Sequence, residues 1–560
     1  MKLTGSQIFF KVLEQENVDT IFGYPGGTVM DIYDEMMRQN IRHILVRHEQ
    51  GAVHAADGYA RVSGRTGVCL VTSGPGATNT VTGIANAHMD SIPVVVFTGQ
   101  VPTMMIGSSA FQEVDITGIT KPCTKRNFLV KDVKDLARTI QEAFYIARTG
   151  RPGPVLVDLP KDVMQSVTEE ETLPQPLNVT ANTDRSWEER GAPVLDMITR
   201  AKKPVLISGG GVIRGNASHA LRMFVKSLNV PVTSTLMGLG TFPGTDPLWL
   251  GMVGMHGTYY ANMAISNCDL LIAIGARFDD RVTSKVDTFA PHARIIHIDI
   301  DPTCINKSVR ADLAIVGDCN AVLEFLNRSI TDNNINIPEE QTRDWLRQIM
   351  RWKRDVPLTY RSSKRIKPQE VVEKLYRLTK GEAIITTDVG QHQMWTAQFY
   401  HFDHPGDFVS SGGLGTMGFG LPAAIGAQVA CPDRLVIDIA GDGSIQMNVQ
   451  ELATAVHYHL PVKVVILNNR FLGMPRQWQE ILYEKRYSQT DMTHTPDFVR
   501  LAEAYGARGL RATKPEDVET VLKEGLDTPG VVVMDFHVEP EECVYPMVKP
   551  GAPLNEMLLG

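Results

Sequence analysis

What this 560-residue chain lacks narrows its chemistry first. Positive charge is not in surplus: 63 Asp and Glu outweigh 55 Lys and Arg, for a formal net charge of −8. No basic stripe is therefore available to neutralise nucleic-acid phosphates or to settle on an anionic membrane. No apolar run approaches the roughly 18 residues that a membrane span needs. The N-terminal stretch MKLTGSQIFFKVLEQENV mixes charged and apolar residues at helical spacing. It has neither the apolar block of a signal peptide nor a Ser/Arg-rich transit pattern, so a cytoplasmic protein is expected. The seven cysteines form no C-x-x-C pair and no regular spacing, which argues against both a zinc site and a disulfide framework. G-x-x-x-x-G-K-[ST] is absent too, disfavouring P-loop phosphate chemistry. Small molecules and other proteins remain as partners.

Short β-rich runs alternating with longer amphipathic segments are plentiful. They are HILVR, GVCLVTS, IPVVVFTG, GPVLVDLP, KPVLISGGG, DLLIAIGA, RIIHIDID, AIITTDVG, RLVIDIAG, PVKVVILNN and GVVVMDFH. Such alternation predicts an α/β fold with parallel sheets covered on both faces by helices. Two polar, turn-rich stretches, Thr168–Arg185 and Ile330–Glu340, read as linkers, placing three domains at 1–165, 190–330 and 365–545. The first and third share the order strand, Gly-rich turn, helix, Pro-led strand, as distant copies would and as two unrelated βαβ units also could.

Chemistry concentrates at the ends of the apolar runs. RLVIDIA delivers Gly441, Asp442, Gly443 and Ser444 to a strand end that is expected to open a helix, where backbone N–H groups and glycines suit a phosphate. The next strand delivers Asn468 and Asn469 to the same edge. An Asp carboxylate with an Asn carbonyl suits a hard cation such as Mg²⁺, which shares its oxygen ligands with substrate phosphates. A capping Asp and an Asn turn would satisfy the same letters. Glu49, in RHEQGAVHAADGYA, follows a strand and starts a helix rich in small residues. It could be buried there and share a proton with a ring nitrogen, or simply cap the helix from the surface. Gly413-x-Gly415-x-x-Gly418 formally matches a dinucleotide fingerprint, but the strand before it is short, and Asp433, twenty residues on, precedes the next strand rather than ending it, as ribose binding would require.

GDG, twenty-four residues and then NN resembles the cofactor motif of thiamine-diphosphate enzymes. Along essentially the whole chain the sequence resembles the acetohydroxyacid synthases of that family. The resemblance implies pyrimidine and diphosphate domains at the two ends and a Rossmann-like FAD domain between them. It implies Mg²⁺ ligands at Asp442, Asn469 and the Phe471 carbonyl. Thiamine diphosphate would meet Glu49, Val389, Gln391, His392, Gly415, Met417, Gly441, Gly443, Ser444, Gly473 and Met474, with Met417 bending the cofactor. FAD would meet Arg151, Gly209, Gly210, Gly211, His256, Gly257, Thr258, Gly275, Arg277, Asp279, Asp299, Ile300 and Asp318. Arg281 of FDDR is similar to the arginine that pairs with the carboxylate of the second 2-oxoacid, a contact suited to guanidinium. Trp478 is similar to the tryptophan favouring 2-oxobutyrate as acceptor. Gly27, Phe111, Gln112, Lys161, Met255 and Met474 match the rest of the cleft. Thr28 stands where alanine is common.

The implied reaction decarboxylates pyruvate and joins its two-carbon unit to pyruvate, giving 2-acetolactate, or to 2-oxobutyrate, giving 2-aceto-2-hydroxybutyrate, in branched-chain amino acid biosynthesis. FAD would be largely structural, because no step is a net redox reaction. Glyoxylate carboligases lack the glutamate found here as Glu49. A flavin-reducing pyruvate oxidase or a flavin-free catabolic acetolactate synthase are the alternatives within the fold. The resemblance further implies a homodimer or homotetramer, and a separate regulatory small subunit.

Overall fold

The computed structural model describes residues 2–168, 173–177 and 185–560. Most of the stretch read as the first linker lies outside those residues. Among the described residues, eighteen strands build three six-stranded sheets. Their centres are runs of Val, Ile and Leu buried on both faces: every residue of Val94–Gln100 and of Lys463–Asn468 is buried. Such burial requires helices on either side of each sheet.

In the first domain the strands are Thr20–Tyr24 (β1), Arg42–Leu45 (β2), Gly67–Val71 (β3), Val94–Gln100 (β4), Arg126–Leu129 (β5) and Val155–Pro160 (β6). They pair in parallel in the order β2-β1-β3-β4-β6-β5. The middle domain comprises Pro204–Ser208 (β7), Val232–Ser234 (β8), Trp249–Met252 (β9), Leu270–Ile274 (β10), Arg294–Asp299 (β11) and Leu313–Val316 (β12). Its order is β9-β8-β7-β10-β11-β12, the doubly wound dinucleotide-binding order with its switch point between β7 and β10. The third domain holds Ile384–Thr387 (β13), Phe408–Ser410 (β14), Val436–Gly441 (β15), Lys463–Asn468 (β16), Arg508–Ala512 (β17) and Val532–His537 (β18). The order β14-β13-β15-β16-β18-β17 repeats that of the first sheet strand for strand, as the copy reading expects.

All eleven quoted runs are strands. The second linker is shorter than its composition suggests: the helix Cys319–Asp332 runs into it, and Glu339–Asp355 forms a further helix. That helix belongs to the middle domain. Trp345 Nε1 donates to the Pro204 carbonyl at 3.2 Å, and Gln341 donates to the Thr199 and Ala201 carbonyls at 2.7 Å. After the third sheet the chain returns to the middle domain, where Val548 N donates to the Met255 carbonyl at 2.8 Å.

Helix α1 (Glu49–Ser63) joins the outer domains by packing on helix α2 (Gly420–Ala430). The small residues of both serve this contact. A Cβ at Gly58 would stand 2.3 Å from the Ala423 carbonyl oxygen, and one at Gly426 would stand 1.9 Å from that of Ala55.

Candidate active site

The carboxyl ends of β7, β10 and β11 and those of β13, β15 and β16 open onto one cavity of about 1560 Å³, whose wall also takes in His88–Ser91 and Arg148–Pro152 of the first domain. Parallel strands carry their loops to one edge, so a cavity at this edge collects strand-end residues from all three domains.

At the third-domain end, Asp442 is 1 % exposed and its Oδ2 has no hydrogen-bond partner. Burial pushes its carboxyl up to about 7. Asn469 donates to Gln391 Oε1 at 3.0 Å, while its own Oδ1 accepts from Phe471 N at 3.1 Å. Gln391 is anchored in turn on Gln477 Oε1 and the Glu542 carbonyl. His392 is buried with Nε2 unpartnered, and desolvation lowers it to about 3, so its ring is neutral. The glycines keep the site open: a Cβ would stand 2.8 Å from His392 Nδ1 at Gly441 and 2.1 Å from Gln391 Oε1 at Gly473, displacing those side chains. A buried carboxylate oxygen without a partner, beside an Asn amide and a glycine-lined backbone, fits a hard cation carried in with a diphosphate. Among the described residues no cluster of three or more acidic, His or Cys side chains could hold such a cation alone. One expectation fails: Gly441–Ser444 does not open a regular helix. A three-residue turn, Ile445–Met447, follows, and the helix starts at Glu451, because Asn448 turns aside to donate to the Gly418 carbonyl at 2.7 Å.

Gly210, Gly211, Gly275, Asp299, Ile300 and Asp318 line the middle-domain end together with Arg151, His256, Arg277 and Asp279. Gly211 and Gly275 touch backbone to backbone across the switch point, with 2.7 Å between a Cβ at either and the other's Cα. Burial raises Asp299 to about 6 and lowers His256 to about 4. This edge fits a dinucleotide. Gly209, Gly257 and Thr258 lie off the cavity wall. A Cβ at Gly209 would meet the Gly275 carbonyl oxygen at 2.1 Å, one at Gly257 would meet Gly254 N at 2.7 Å, and Thr258 caps a helix through Ala261 N.

Where the two ends meet, the Arg281 guanidinium lies 5.7 Å over the Trp478 ring, with Nη1 3.5 Å from Met255 Sδ. Its carboxylate neighbour, the exposed Asp280, is 3.7 Å away. Guanidinium and indole thus face open cavity, with Val389, Met417 and Met474 on the same wall. Gly415, at φ +74°, lines it as well.

Glu49 is not on this wall. It is half-buried at the start of α1, and Asn79 Nδ2 donates to its Oε2 at 2.9 Å. The expected burial is therefore incomplete within one chain. Gly27, Phe111, Gln112 and Lys161 share the carboxyl edge of the first sheet with it, also away from the cavity, and Phe111 is 87 % exposed.

Three domain families of thiamine pyrophosphate enzymes match the chain in succession: the N-terminal TPP-binding domain at residues 3–119, the central domain at 192–326 and the C-terminal TPP-binding domain at 388–536. The acetolactate synthase isozyme 3 large subunit of Escherichia coli is 49 % identical over 565 residues, covering 100 % of this chain and 98 % of its own. The mitochondrial acetolactate synthase catalytic subunit of Saccharomyces cerevisiae is 47 % identical over 582 residues, covering 99 % and 84 %. The isozyme 2 large subunit of E. coli is 46 % identical over 557 residues, covering 99 % of each. The chain belongs to the acetolactate synthase large subunits.

For a member of the acetolactate synthase large subunits the strand-end residues were readable from motifs, but Arg214 was not. It lines the cavity one turn beyond Gly209–Gly211 and makes no hydrogen bond or ion pair among the described residues. Desolvation lowers it to about 10. An arginine one turn past a glycine-ended strand was the available signal.

Proposed function

We propose that the chain is an acetohydroxyacid synthase catalytic subunit. It takes pyruvate as donor and pyruvate or 2-oxobutyrate as acceptor, for branched-chain amino acid biosynthesis. The observation that carries this reading is the Arg281, Met255 and Trp478 group, facing the same cavity as the Asp442 edge. An open guanidinium beside an indole suits the carboxylate and the short alkyl tail of a second 2-oxoacid.

Thiamine diphosphate supplies the electron sink through which a 2-oxoacid loses carbon dioxide. Asp442, Asn469 and the Phe471 carbonyl would hold Mg²⁺ together with the diphosphate, and Gln391, His392 and the glycines at 441, 443 and 473 would leave room for it. Gly415 and Met417 support the pyrimidine. Glu49 holds a proton against the pyrimidine ring nitrogen. Val389, Met417 and Met474 keep the reacting region apolar, which favours the loss of charge on decarboxylation. Arg281 orients the acceptor, and Trp478 fills space so that an ethyl side chain packs better than a methyl. Arg151, Arg277, Asp299 and Asp318 at the middle-sheet edge would hold FAD, which would have no electrons to carry.

Glu49 reaches a cofactor only if the first-domain edge of one chain closes the cavity of a second, so the active form is a homodimer or a doubled dimer. The exposure of Phe111 (87 %), Met104 (88 %) and Met447 (54 %) supports a covering copy. The relatives' designation as large subunits supports a separate regulatory small subunit. Among the described residues no helix is long and apolar enough to cross a membrane, and seven unpaired cysteines suit a reducing cytoplasm.

The test supplies purified protein with thiamine diphosphate, Mg²⁺ and FAD, lets pyruvate and 2-oxobutyrate compete, and measures both products. Acetohydroxyacids in a ratio favouring the 2-oxobutyrate product are expected. Their absence overturns the assignment.

A further inference from the structure

One buried polar network outside the substrate groups ends on the loop that would carry the pyrimidine. Helix Val81–Asp90 presents Asn86 and Asp90 to the segment after β14. Asp90 accepts from Gly412 N at 3.1 Å and from Gly413 N at 2.7 Å. Asn86 Oδ1 accepts from Ser411 Oγ at 2.5 Å and from Thr416 Oγ1 at 3.1 Å, and Ser411 Oγ accepts from Thr416 N at 2.8 Å. These bonds cross from the first domain to the third, and they pin both ends of the turn that displays Leu414, Gly415 and Met417 to the cavity.

The network is anchored behind the loop by charge. Arg61, on α1, bonds Asp90 at 3.0 Å and Asp57 at 2.5 Å, and Asn86 Nδ2 donates to Asp57 at 3.1 Å. Asp57, Asn86 and Arg61 are at most 4 % exposed and Asp90 is 9 % exposed. Breaking one partner of a buried pair leaves the other charge uncompensated, so such a group holds one geometry firmly. There is no slack: a Cβ at Gly413 would stand 2.9 Å from Asp90 Oδ1, and one at Gly412 would stand 2.3 Å from Met237 Sδ.

We propose that Asp90 and Asn86 are positioning residues for the cofactor. They fix the Ser411–Met417 turn in the shape that accepts the aminopyrimidine, and Arg61 ties that turn to the helix that begins with Glu49. This rests on the thiamine reading above. Asn86 lies off the cavity wall and acts through the Ser411 and Thr416 hydroxyls; Asp90 lies on the wall, but both its carboxylate oxygens are taken up by the Gly412 and Gly413 amides, so it too acts through the loop.

Asp90→Asn removes the charge and one of the two backbone acceptors. Ser411→Ala removes only a hydroxyl, leaves the ion pairs intact, and serves if the first variant does not fold. Three quantities are read on the full chain with Mg²⁺: half-saturation by thiamine diphosphate, exchange of the bound cofactor's C2 proton, and hydrogen exchange at the Gly412, Gly413 and Thr416 amides. About 10-fold weaker thiamine diphosphate binding, slower C2 exchange and faster amide exchange are expected in Asp90→Asn, with smaller shifts of the same sign in Ser411→Ala. FAD affinity, read by flavin fluorescence, stays within about twofold, which a general loss of structure would not allow. Unchanged half-saturation and unchanged C2 exchange in a folded variant overturn the proposal. Wild-type protein that binds no thiamine diphosphate overturns the functional reading instead.

Discussion

Substituting Gly426 by alanine puts one methyl group where α1 and α2 touch. The new Cβ would lie 1.9 Å from the Ala55 carbonyl oxygen and 2.8 Å from Tyr59 N. Ordinary contact starts near 3.4 Å, so the two helices must part by 3.4 − 1.9, or roughly 1.5 Å, since both contacts are backbone and no side chain can swing aside. Alanine contributes about 1 kcal/mol of helix propensity over glycine. Overpacking a tight core costs about 1–3 kcal/mol, and a rigid backbone contact belongs at the upper end, so a net destabilisation of about 1–2 kcal/mol is expected. The functional effect is larger, because α1 begins with Glu49, and misplacing a reacting group by about 1 Å costs on the order of 100-fold in rate. Urea unfolding read by fluorescence, with C2-proton exchange on the same preparation, measures both. A variant as stable as the parent and equally fast in exchange would show that the helices do not meet as closely as described.

Glu49→Gln should slow C2-proton exchange about 100-fold or more, the usual range for a lost general acid or base, while Mg²⁺-dependent retention of the cofactor stays intact; an unchanged rate removes Glu49 from the chemistry. Trp478→Leu should lower the 2-oxobutyrate product ratio about tenfold, in line with the roughly 1–3 kcal/mol that apolar pockets use to tell methylenes apart, and a preserved ratio in competition assays counts against its role. Glu451 is fully buried, accepts from Arg47 N at 3.0 Å and is pushed up to about 7, chiefly by burial. A raised carboxyl favours the folded state at low pH: that stability is complete below about 4.5 and lost as pH rises to and through about 7. Glu451→Gln should therefore match wild type in urea midpoint near pH 4.5 and exceed it at pH 7.5, by an amount on the order of 3 kcal/mol. Equal midpoints at both pH values would refute this.

The eleven β-rich runs were legible because central strands of parallel sheets are apolar on both faces. Seven strands escaped notice, and five of them, β5, β9, β12, β14 and β17, are sheet edges. β5 and β12 hold mostly half-exposed residues, and β14, though buried, is only three residues long, so their composition does not stand out. Interior β1 was hidden by Gly23, whose Cβ would meet the Leu70 carbonyl oxygen at 2.2 Å; close sheet packing demanded the residue that obscures the strand. In the candidate site, Asp442 and Asn469 were legible as polar residues at strand ends, whereas Arg281, inside the short helix Asp280–Thr283, was reached only through the resemblance of FDDR. The turn after Gly443 was not, since a bond from Asn448 to a carbonyl 30 residues away overrides local helix preference. Nor was the separation of Glu49 from the cavity, because spacing along one chain does not encode which chain an edge faces.

The return of the C-terminal segment to the middle domain bears on how the molecule is made. Met255, a wall of the proposed acceptor pocket, receives a backbone bond from Val548, and Asn262 nearby contacts Met557 across 295 residues of chain. Contacts of such separation close last, after the intervening domains have formed. On the proposed assignment, acceptor choice is thus a property only of the finished molecule: an intermediate with all three sheets formed but this segment undocked would hold its cofactor and still fail to tell an ethyl group from a methyl.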